Sequence, residues 1–281
     1  MTIPVLEVGG THVSAALIDP DGWAIVRAAR LPLDADAAAD ALVDRFVEAA
    51  AAIEAPSGTA WGVAMPDPFD YVAGVALFAG VGKFGALHGV DVGAALRARL
   101  GGEVAFVNDA DAFVLGEWAA GAGRGIGRCA GITLGTGVGS GWVAAGAVVD
   151  PGDPPGGRIH RLLIDGRPLE DVVSRRALRS AFAASGGDPT SDVRDITALA
   201  RAGDALAGRV VNDAYGALGS VVGSLVRGFD AEVLLVGGSI AASWDVLEPA
   251  FVHGAGGLPP VDIVSDSDRA ALVGAAVHAS R

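Results

Sequence analysis

Alternating apolar residues open the chain and predict a β-hairpin. Val5–Val8 and Val13–Ile18 are apolar runs that flank Gly9-Gly10-Thr11, a sequence typical of a tight turn. A third strand is expected over residues 23–30. Apolar residues at helical spacing then predict a helix over 35–54.

The apolar segments that follow alternate between strands and helices. Strands are predicted over 61–65 and 102–107, and helices over 91–100 and 110–120. The strand over 102–107 ends in Asn108-Asp109. This order is typical of an α/β protein.

A second Gly-rich hairpin begins roughly half a chain after the first. An apolar strand over 129–134 is followed by a turn over 135–141 and a second strand over 142–149. Because the motif of a strand, a Gly/Thr turn and a second strand occurs twice, the sequence predicts two related halves.

The rest of the chain predicts a surface loop, several helices and one more strand. Residues 150–157 are polar and rich in Pro and Gly, which favours a loop. A strand over 232–236 runs into Gly237-Gly238, and a helix is expected over 266–279. Three further helices are predicted, over 169–184, 192–202 and 204–228.

Composition excludes several classes of protein. The 281 residues are 51% hydrophobic, which excludes intrinsic disorder, and the net charge of −13 argues against nucleic-acid and anionic-membrane binding. Cys129, the single cysteine, excludes an internal disulfide and a Cys-rich zinc site. No apolar run approaches the ~20 residues of a membrane span, and no basic segment precedes the first apolar residues. We therefore expect a cytoplasmic protein.

Glycine-rich loops bring backbone N–H groups close to phosphate oxygens, because no Cβ keeps the ligand away. Two familiar phosphate motifs fail on spacing. Counting from Gly135, Ser140 stands where a dinucleotide fingerprint needs its third glycine, and Gly82-Lys83 is followed by Phe84 rather than Ser or Thr. A phosphate-binding hairpin turn in each half fits better, although an ordinary tight turn stays open for Gly9-Gly10-Thr11.

Four separated motifs, read together, resemble those of ROK-type sugar kinases, which belong to the actin/hexokinase/Hsp70 superfamily. They occur in the family's order along nearly the whole chain. The motifs are Glu7-Val8-Gly9-Gly10-Thr11, Asn108-Asp109-Ala110-Asp111-Ala112, Leu134-Gly135-Thr136-Gly137-Val138-Gly139 and Val236-Gly237-Gly238-Ser239.

The resemblance implies an α/β fold of two ribonuclease-H-like domains that face each other across a cleft. Residues 1–115 would form the smaller domain, with the helix over 266–281 packed back on it, and 116–265 the larger one. ATP with Mg²⁺ would lie mostly on the larger domain, with the acceptor sugar between the two. A homodimer is also implied.

The resemblance assigns Asp109 as the catalytic base and Asn108 as a hydrogen-bond partner of a sugar hydroxyl. A base is required because phosphoryl transfer to an alcohol releases the hydroxyl proton. The position of Asp109, after an apolar strand, also suits a helix N-cap. Asp111 could cap the same helix instead and leave Asp109 available.

The Gly/Thr clusters would hold ATP. Glu7 replaces the usual Asp of the first motif, so we expect it to reach Mg²⁺ through water, if at all. Gly10 and Thr11 would meet the γ-phosphate. The other ATP contacts implied are Gly135, Thr136, Gly137 and Gly139 for the remaining phosphates, and Gly237 and Gly238 for adenosine.

The departures from the family pattern concern the acceptor. Many members carry a Cys-rich zinc motif that is missing here, so no zinc is expected. Glu170 matches the glutamate that closes that motif, His160 lies near the family histidine, and Arg158 stands where a glutamate is usual. Lys83, on a loop near the sugar in the family, is either a substrate contact or solvated. Pro66-Asp67-Pro68 is interpreted as a structural turn.

These features predict an ATP-dependent kinase that phosphorylates a primary hydroxyl, O6, of a hexose such as glucose or an amino sugar. Glucose is not fixed by the sequence, and a cyclitol is the alternative acceptor. Two other classes stay open. One is a noncatalytic sugar- or nucleotide-binding member, suggested by Glu7 and Arg158. The other is a sugar-responsive repressor, which would carry a helix-turn-helix before the first hairpin.

Overall fold

The computed structural model describes residues 2–149 and 158–281, and the chain divides into two compact units. The first unit comprises Met1–Arg124 and Asp268–Arg281, and the second Gly125–Ser267. The predicted boundary between residues 115 and 116 falls inside a helix, Asp109–Ala120, that lies wholly in the first unit. The chain changes unit in the loop after this helix, where no ladder of backbone hydrogen bonds is interrupted. The loop predicted over 150–157 lies outside the described residues.

A mixed five-stranded sheet forms the centre of the first unit. The elements of this unit are β1 (Ile3–Val8), β2 (His12–Asp19), β3 (Ala24–Pro32), α1 (Ala39–Ala51), β4 (Trp61–Met65), β5 (Phe69–Asp70), β6 (Val75–Ala76), α2 (Val92–Leu100), β7 (Val104–Asn108), α3 (Asp109–Ala120) and α9 (Ser267–Ala279). The sheet order is β3-β2-β1-β4-β7. Since β1, β4 and β7 are parallel, their carboxyl ends meet at one edge of the sheet.

Helices cover both faces of this sheet, which explains why its central strands are apolar on both sides. On one face α1 packs against β1 and β2 through Leu42, Val43 and Phe46. α9 approaches β4 so closely that a methyl group on Gly62 would lie 2.2 Å from the Ala275 carbonyl oxygen. Glycine at this position is therefore required by packing.

A second five-stranded sheet forms the centre of the second unit. The elements of this unit are β8 (Arg128–Leu134), β9 (Val138–Ala144), β10 (Ala147–Val148), β11 (Leu163–Ile164), β12 (Arg167–Pro168), α4 (Glu170–Val173), α5 (Arg175–Ala184), α6 (Val193–Arg201), α7 (Ala205–Gly228), β13 (Val233–Gly237), α8 (Trp244–Ala255) and β14 (Val261–Ile263). Its order is β10-β9-β8-β13-β14.

The two sheets share one topology. Each begins with an antiparallel meander, β1-β2-β3 or β8-β9-β10, and continues with two strands parallel to the first. The prediction of two related halves is therefore confirmed. The Gly9–Thr11 turn and the Gly135–Gly137 turn occupy corresponding positions.

Several predicted elements differ from the structure. Gly139 was assigned to the turn over 135–141, but it lies in β9 and pairs with Thr133. β9 extends this far because the β8 backbone offers it a continuous ladder of hydrogen-bonding partners, which outweighs the weak strand preference of glycine. The helix predicted over 169–184 is broken at Ser174, which has extended backbone angles and caps α5.

Other differences concern element ends and two missing elements. The helix predicted over 35–54 is shorter, because Asp34 and Asp36 form a turn before α1 begins at Ala39. α8 and β14 were not predicted. Within the described ranges, no helix combines the length and the apolar character that a bilayer span needs.

Candidate active site

The turn between β1 and β2 exposes backbone N–H groups beside a buried acid. Gly9 N–H donates to the His12 carbonyl oxygen at 2.9 Å, which closes the turn. Among the residues that the structure describes, no acceptor receives the N–H groups of Gly10 and Thr11. Unpaired N–H groups at a turn attract anions, so this hairpin has the chemistry to meet a phosphate.

Glu7, at the end of β1, is buried beside a histidine and other acids. His12 Nε2 lies 3.5 Å from Glu7 Oε2 and 3.7 Å from Asp268 Oδ2. Arg30 also pairs with Asp268. Burial raises the pKa of Glu7 above its ordinary value, and the carboxylates of Asp268 and Asp109 raise it further, while His12 lowers it.

The residues around Glu7 show whether its carboxylate could contact Mg²⁺ through water. Glu7 Oε2 is buried without a hydrogen-bond partner in the described chain, and its carboxylate repels those of Asp109 and Asp268. A divalent cation would relieve that repulsion, so Glu7 fits a water-mediated contact with Mg²⁺. No group of three or more His, Cys, Asp or Glu residues within residues 2–149 and 158–281 could hold a metal alone. Phosphates and water would therefore supply most of the ligands.

Asn108 and Asp109 stand where β7 ends and α3 begins. Asn108 is the N-cap: its Oδ1 accepts the N–H groups of Ala110 at 3.0 Å and Asp111 at 3.2 Å. The predicted N-cap alternatives, Asp109 and Asp111, are therefore wrong, because the capping position precedes both of them. Asp109 is half-buried, and its Oδ1 accepts the Ala110 N–H at 2.8 Å. Its other carboxylate oxygen stays available to a ligand.

The two glycine motifs of the second unit meet at one edge of its sheet. A methyl group on Gly135 would lie 3.9 Å from Ser239 Oγ, and one on Gly238 would lie 2.3 Å from the Leu134 carbonyl oxygen. Gly238 has φ of +90° and donates its N–H to Ser267 Oγ at 2.8 Å. The Gly135–Gly137 turn, with the exposed Thr136, and the Gly237-Gly238 turn therefore border the same space.

The predicted acceptor residues of the second unit lie near the Gly-rich hairpin. Glu170 lies directly over Gly137, where a methyl group would come within 2.6 Å of Glu170 Oε1. The segment with Arg158 and His160 is held to β9 because Ile159 N–H donates to Ser140 Oγ at 3.4 Å. His160 Nε2 accepts a hydrogen bond from Arg161 at 3.2 Å.

The structure thus groups the predicted residues within each unit. Glu7, Gly10, Thr11, Asn108 and Asp109 lie at the carboxyl edge of the first sheet. The corresponding group of the second unit contains Gly135, Thr136, Gly137, Glu170, Gly237 and Gly238. Gly139, the remaining predicted ATP contact, is the second residue of β9, which directly follows the Gly135–Gly137 turn.

Lys83 joins neither group. It is half-buried and makes no hydrogen bond or ion pair with a described residue. Its neighbours Gly82 and Phe84 have φ of +71° and +55°, and Phe84 is fully buried. The backbone of this loop is therefore anchored, but the position of Lys83 does not assign it a role.

Several residues at these edges were missed by the sequence analysis. His12 and Asp268 surround Glu7, Tyr71 contacts Asn108, and Ser239 borders Gly135. A signal existed for His12, which directly follows the Gly-Gly-Thr turn. The others come from distant parts of the chain, and only the fold brings them to the site.

Comparisons with known proteins agree with this geometry. The ROK family model matches residues 4–152, which is more than half of the chain. A glucokinase of Thermotoga maritima is 27% identical over 268 residues, covering 86% of this chain and 83% of its own. An N-acetylmannosamine kinase of Shigella flexneri is 28% identical over 301 residues, covering 99% and 98%.

A solved structure agrees as well. The crystal structure of a ROK hexokinase from Thermus thermophilus matches with a TM-score of 0.81 at 28% identity, covering all of this chain and 98% of that one. The predicted α/β fold class is therefore confirmed. With the family model, these matches establish that the chain belongs to the ROK family.

Proposed function

We propose that the protein transfers the γ-phosphoryl group of ATP to a primary hydroxyl, O6, of a hexose such as glucose or an amino sugar. Its enzyme class, an ATP-dependent carbohydrate kinase, follows from the family and from two kinases that match it over 83% and 98% of their own length. The observation that carries the finer proposal is the position of Asp109. A carboxylate stands at the carboxyl edge of one sheet, while Gly/Thr turns occupy the corresponding edge of the other.

Asp109 would act as the general base. As the acceptor oxygen bonds to the γ-phosphorus, its proton passes to the Asp109 carboxylate, the bond between the γ-phosphorus and the bridging oxygen breaks, and ADP leaves. Asn108 fixes Asp109 at the first residue of α3 by capping that helix. One amino hydrogen of Asn108 donates to Tyr71, which leaves the second for a sugar hydroxyl.

The Gly/Thr turns would hold the phosphates. Gly10 and Thr11 offer unpaired N–H groups to the γ-phosphate. In the Gly135–Gly137 turn the Gly135 N–H donates to the Gly137 carbonyl oxygen at 3.0 Å, so the N–H groups of Thr136 and Gly137 would meet the other phosphates. Gly237 and Gly238 would border adenosine. Mg²⁺, when bound, neutralises the phosphate charge, and Glu7 would hold it through water.

The remaining acceptor contacts would come from Arg158, His160 and Glu170. Arg158 is a hydrogen-bond donor where the family usually has an acceptor carboxylate, so it would favour different hydroxyl patterns. This observation keeps a cyclitol as the second candidate acceptor. The homodimer implied by the family is a separate proposal, which sedimentation of the purified protein tests.

The direct test measures ADP release by the purified protein with ATP, Mg²⁺ and a panel of glucose, glucosamine, N-acetylmannosamine and inositol. Phosphorus NMR of the product identifies the oxygen that is phosphorylated. Asp109→Asn should reduce kcat by about a hundredfold or more, because general base catalysis contributes that much, while leaving the ATP KM unchanged.

A matched control is Asp40→Asn, which removes one charge from an exposed position of α1. It should leave kcat unchanged. Failure to release ADP with every acceptor would refute the proposed transfer to these substrates. An Asp109→Asn variant as active as the control would refute the assignment of the base.

A further inference from the structure

The hydroxyl of Tyr71 joins two loops at the carboxyl edge of the first sheet. Asn108 Nδ2 donates to this hydroxyl at 3.0 Å. The same hydroxyl lies 3.0 Å from Asp67 Oδ1 and 3.1 Å from the Met65 carbonyl oxygen, so it donates to this pair of acceptors. A single hydroxyl group therefore separates the Asp67 carboxylate from the Asn108 amide.

The sheet places Asp67 beside the catalytic segment. β4 and β7 are parallel neighbours, and Met65 pairs with Asn108 at their carboxyl ends. Asp67 comes two residues after Met65, and Asp109 comes one residue after Asn108. The next acid in the loop, Asp70, is exposed and accepts the N–H groups of Val72 and Ala73, so its carboxylate is engaged in the local turn.

Aromatic packing holds the Tyr71 hydroxyl in place. The centroid of the Tyr71 ring lies 5.4 Å from that of the Phe69 ring. The Phe69 centroid in turn lies 4.9 Å from the ring centroid of Phe106 in β7. Phe69 and Phe106 are buried. Because packing against Phe69 holds the Tyr71 ring, the Tyr71 hydroxyl can orient the Asp67 and Asn108 side chains before a ligand binds. Less side-chain entropy is then lost when the ligand binds.

We propose that Asp67 is an acceptor-recognition residue, whose carboxylate accepts a hydrogen bond from a hydroxyl or amino group next to the hydroxyl that Asp109 deprotonates. Tyr71 is its positioning residue. The proposal rests on the proposed function, because it needs a polyhydroxylated acceptor at Asp109. It gives the turn Pro66-Asp67-Pro68, first interpreted as structural, a role in specificity.

The hydrogen-bonding capacity of Asn108 explains why a further acceptor group is needed. Asn108 Oδ1 is used twice in capping α3, and one of its amino hydrogens is used by Tyr71. Asn108 can therefore only donate to the sugar, through one hydrogen. Sugar hydroxyls are donors as well as acceptors, and Asp67 supplies an acceptor beside Asn108.

A carboxylate at this position predicts a preference among acceptors. Hydrogen bonds between charged partners are roughly twice as strong as those between neutral groups. An acceptor that carries a protonated amine next to the phosphorylated hydroxyl should therefore depend on Asp67 more than one that carries a neutral hydroxyl there.

The test replaces Asp67 by Asn and Tyr71 by Phe in the full chain. Asp67→Asn keeps an oxygen for the Tyr71 hydroxyl and removes only the charge and one acceptor. It should raise the acceptor KM about tenfold, as expected from the loss of one hydrogen bond to a charged group, with the ATP KM and Tm unchanged. Tyr71→Phe, which keeps the ring, should raise the acceptor KM by less. Asp40→Asn serves as the control for charge.

Calorimetry of sugar binding without ATP separates this proposal from the proposed function. If the unaltered protein turns over a sugar and Asp67→Asn binds that sugar as tightly as the control, this inference is overturned and the proposed function stands. Equal increases in the KM of sugar and of ATP would also overturn it, since a general disturbance acts on both. If the unaltered protein neither binds nor phosphorylates any acceptor, both proposals fail.

Discussion

Replacing Gly135 by Ala separates a role in binding phosphate from a role in the fold. The added methyl group would have one near neighbour in the protein, Ser239 Oγ at 3.9 Å, which is an ordinary contact. Gly135 is not among the residues with positive φ, so Ala can adopt its backbone conformation. We expect the free energy of unfolding to change by less than about 0.5 kcal/mol.

The effect on ATP follows from where that methyl group points. It enters the space bordered by Gly135 and Ser239, where the proposal places the phosphates against the N–H groups of the turn. A hydrogen bond to a charged group contributes about 1.5–3 kcal/mol net. Since about 1.4 kcal/mol corresponds to a factor of ten, weakening one such bond should raise the ATP KM about ten- to a hundredfold.

The assay compares Gly135→Ala with Gly238→Ala, measuring the ATP KM and urea unfolding for both. Gly238 has φ of +90°, and a methyl group there would lie 2.3 Å from a backbone oxygen. Its replacement should therefore destabilise the second unit whether or not a nucleotide binds. An unchanged ATP KM in a folded Gly135→Ala variant would refute the proposed position of the phosphates. If Gly135→Ala destabilised the protein as much as Gly238→Ala, the conclusion that Gly135 has room for a methyl group would be wrong.

Four further substitutions test the packing and the buried charge. Glu7→Gln should stabilise the protein at neutral pH. Because burial raises the pKa of Glu7, the native state of the unaltered protein loses stability as pH rises from 4.5 through the pKa in the folded state. Urea unfolding should therefore show that the variant is increasingly more stable than the unaltered protein over this pH range, and equally stable below it. In α7, Gly219→Ala should cost about 1–3 kcal/mol or more, since its methyl group would lie 2.1 Å from the Phe251 carbonyl oxygen. Gly208→Ala, with nothing within 4 Å, should instead stabilise the same helix by up to about 1 kcal/mol, and thermal unfolding compares the two. Tyr215→Phe should stabilise by about 1 kcal/mol in the same assay, because the Tyr215 hydroxyl is buried without a hydrogen-bond partner in the described chain.

The sequence predicts the strands and hairpins of this fold well, because local signals specify them. Apolar runs interrupted by Gly and Thr define β1, β2, β8 and β9, and their recurrence reveals the duplication. α8 and β14 escape prediction because short apolar runs near Gly and Pro do not distinguish strand from helix. The break at Ser174 is equally hidden, since it depends on the hydroxyl of Ser174 capping the N–H of Ala177.

The site is predicted less completely than the fold. Asn108 and Asp109 are found because they end an apolar strand. Two residues that complete the site are distant in sequence: Tyr71, which contacts Asn108 from 37 residues away, and Asp268 of the C-terminal helix, which lies beside His12. No periodicity connects such positions, so their proximity follows only from the order of the strands in the sheet.

The duplicated topology gives each unit an equivalent sheet edge where loops can carry functional side chains. The strand ends that carry Asp67 and Asp109 in the first unit correspond to those that lead into Gly238 and Ser265 in the second. The first edge carries the carboxylates of Asp67 and Asp109 beside the Gly10-Thr11 turn, whereas the second edge carries two Gly-rich turns and the carboxylate of Glu170. Under the proposed function the base belongs to the first edge and most of the phosphate contacts to the second, so the two copies of one topology differ in the side chains at their edges rather than in fold.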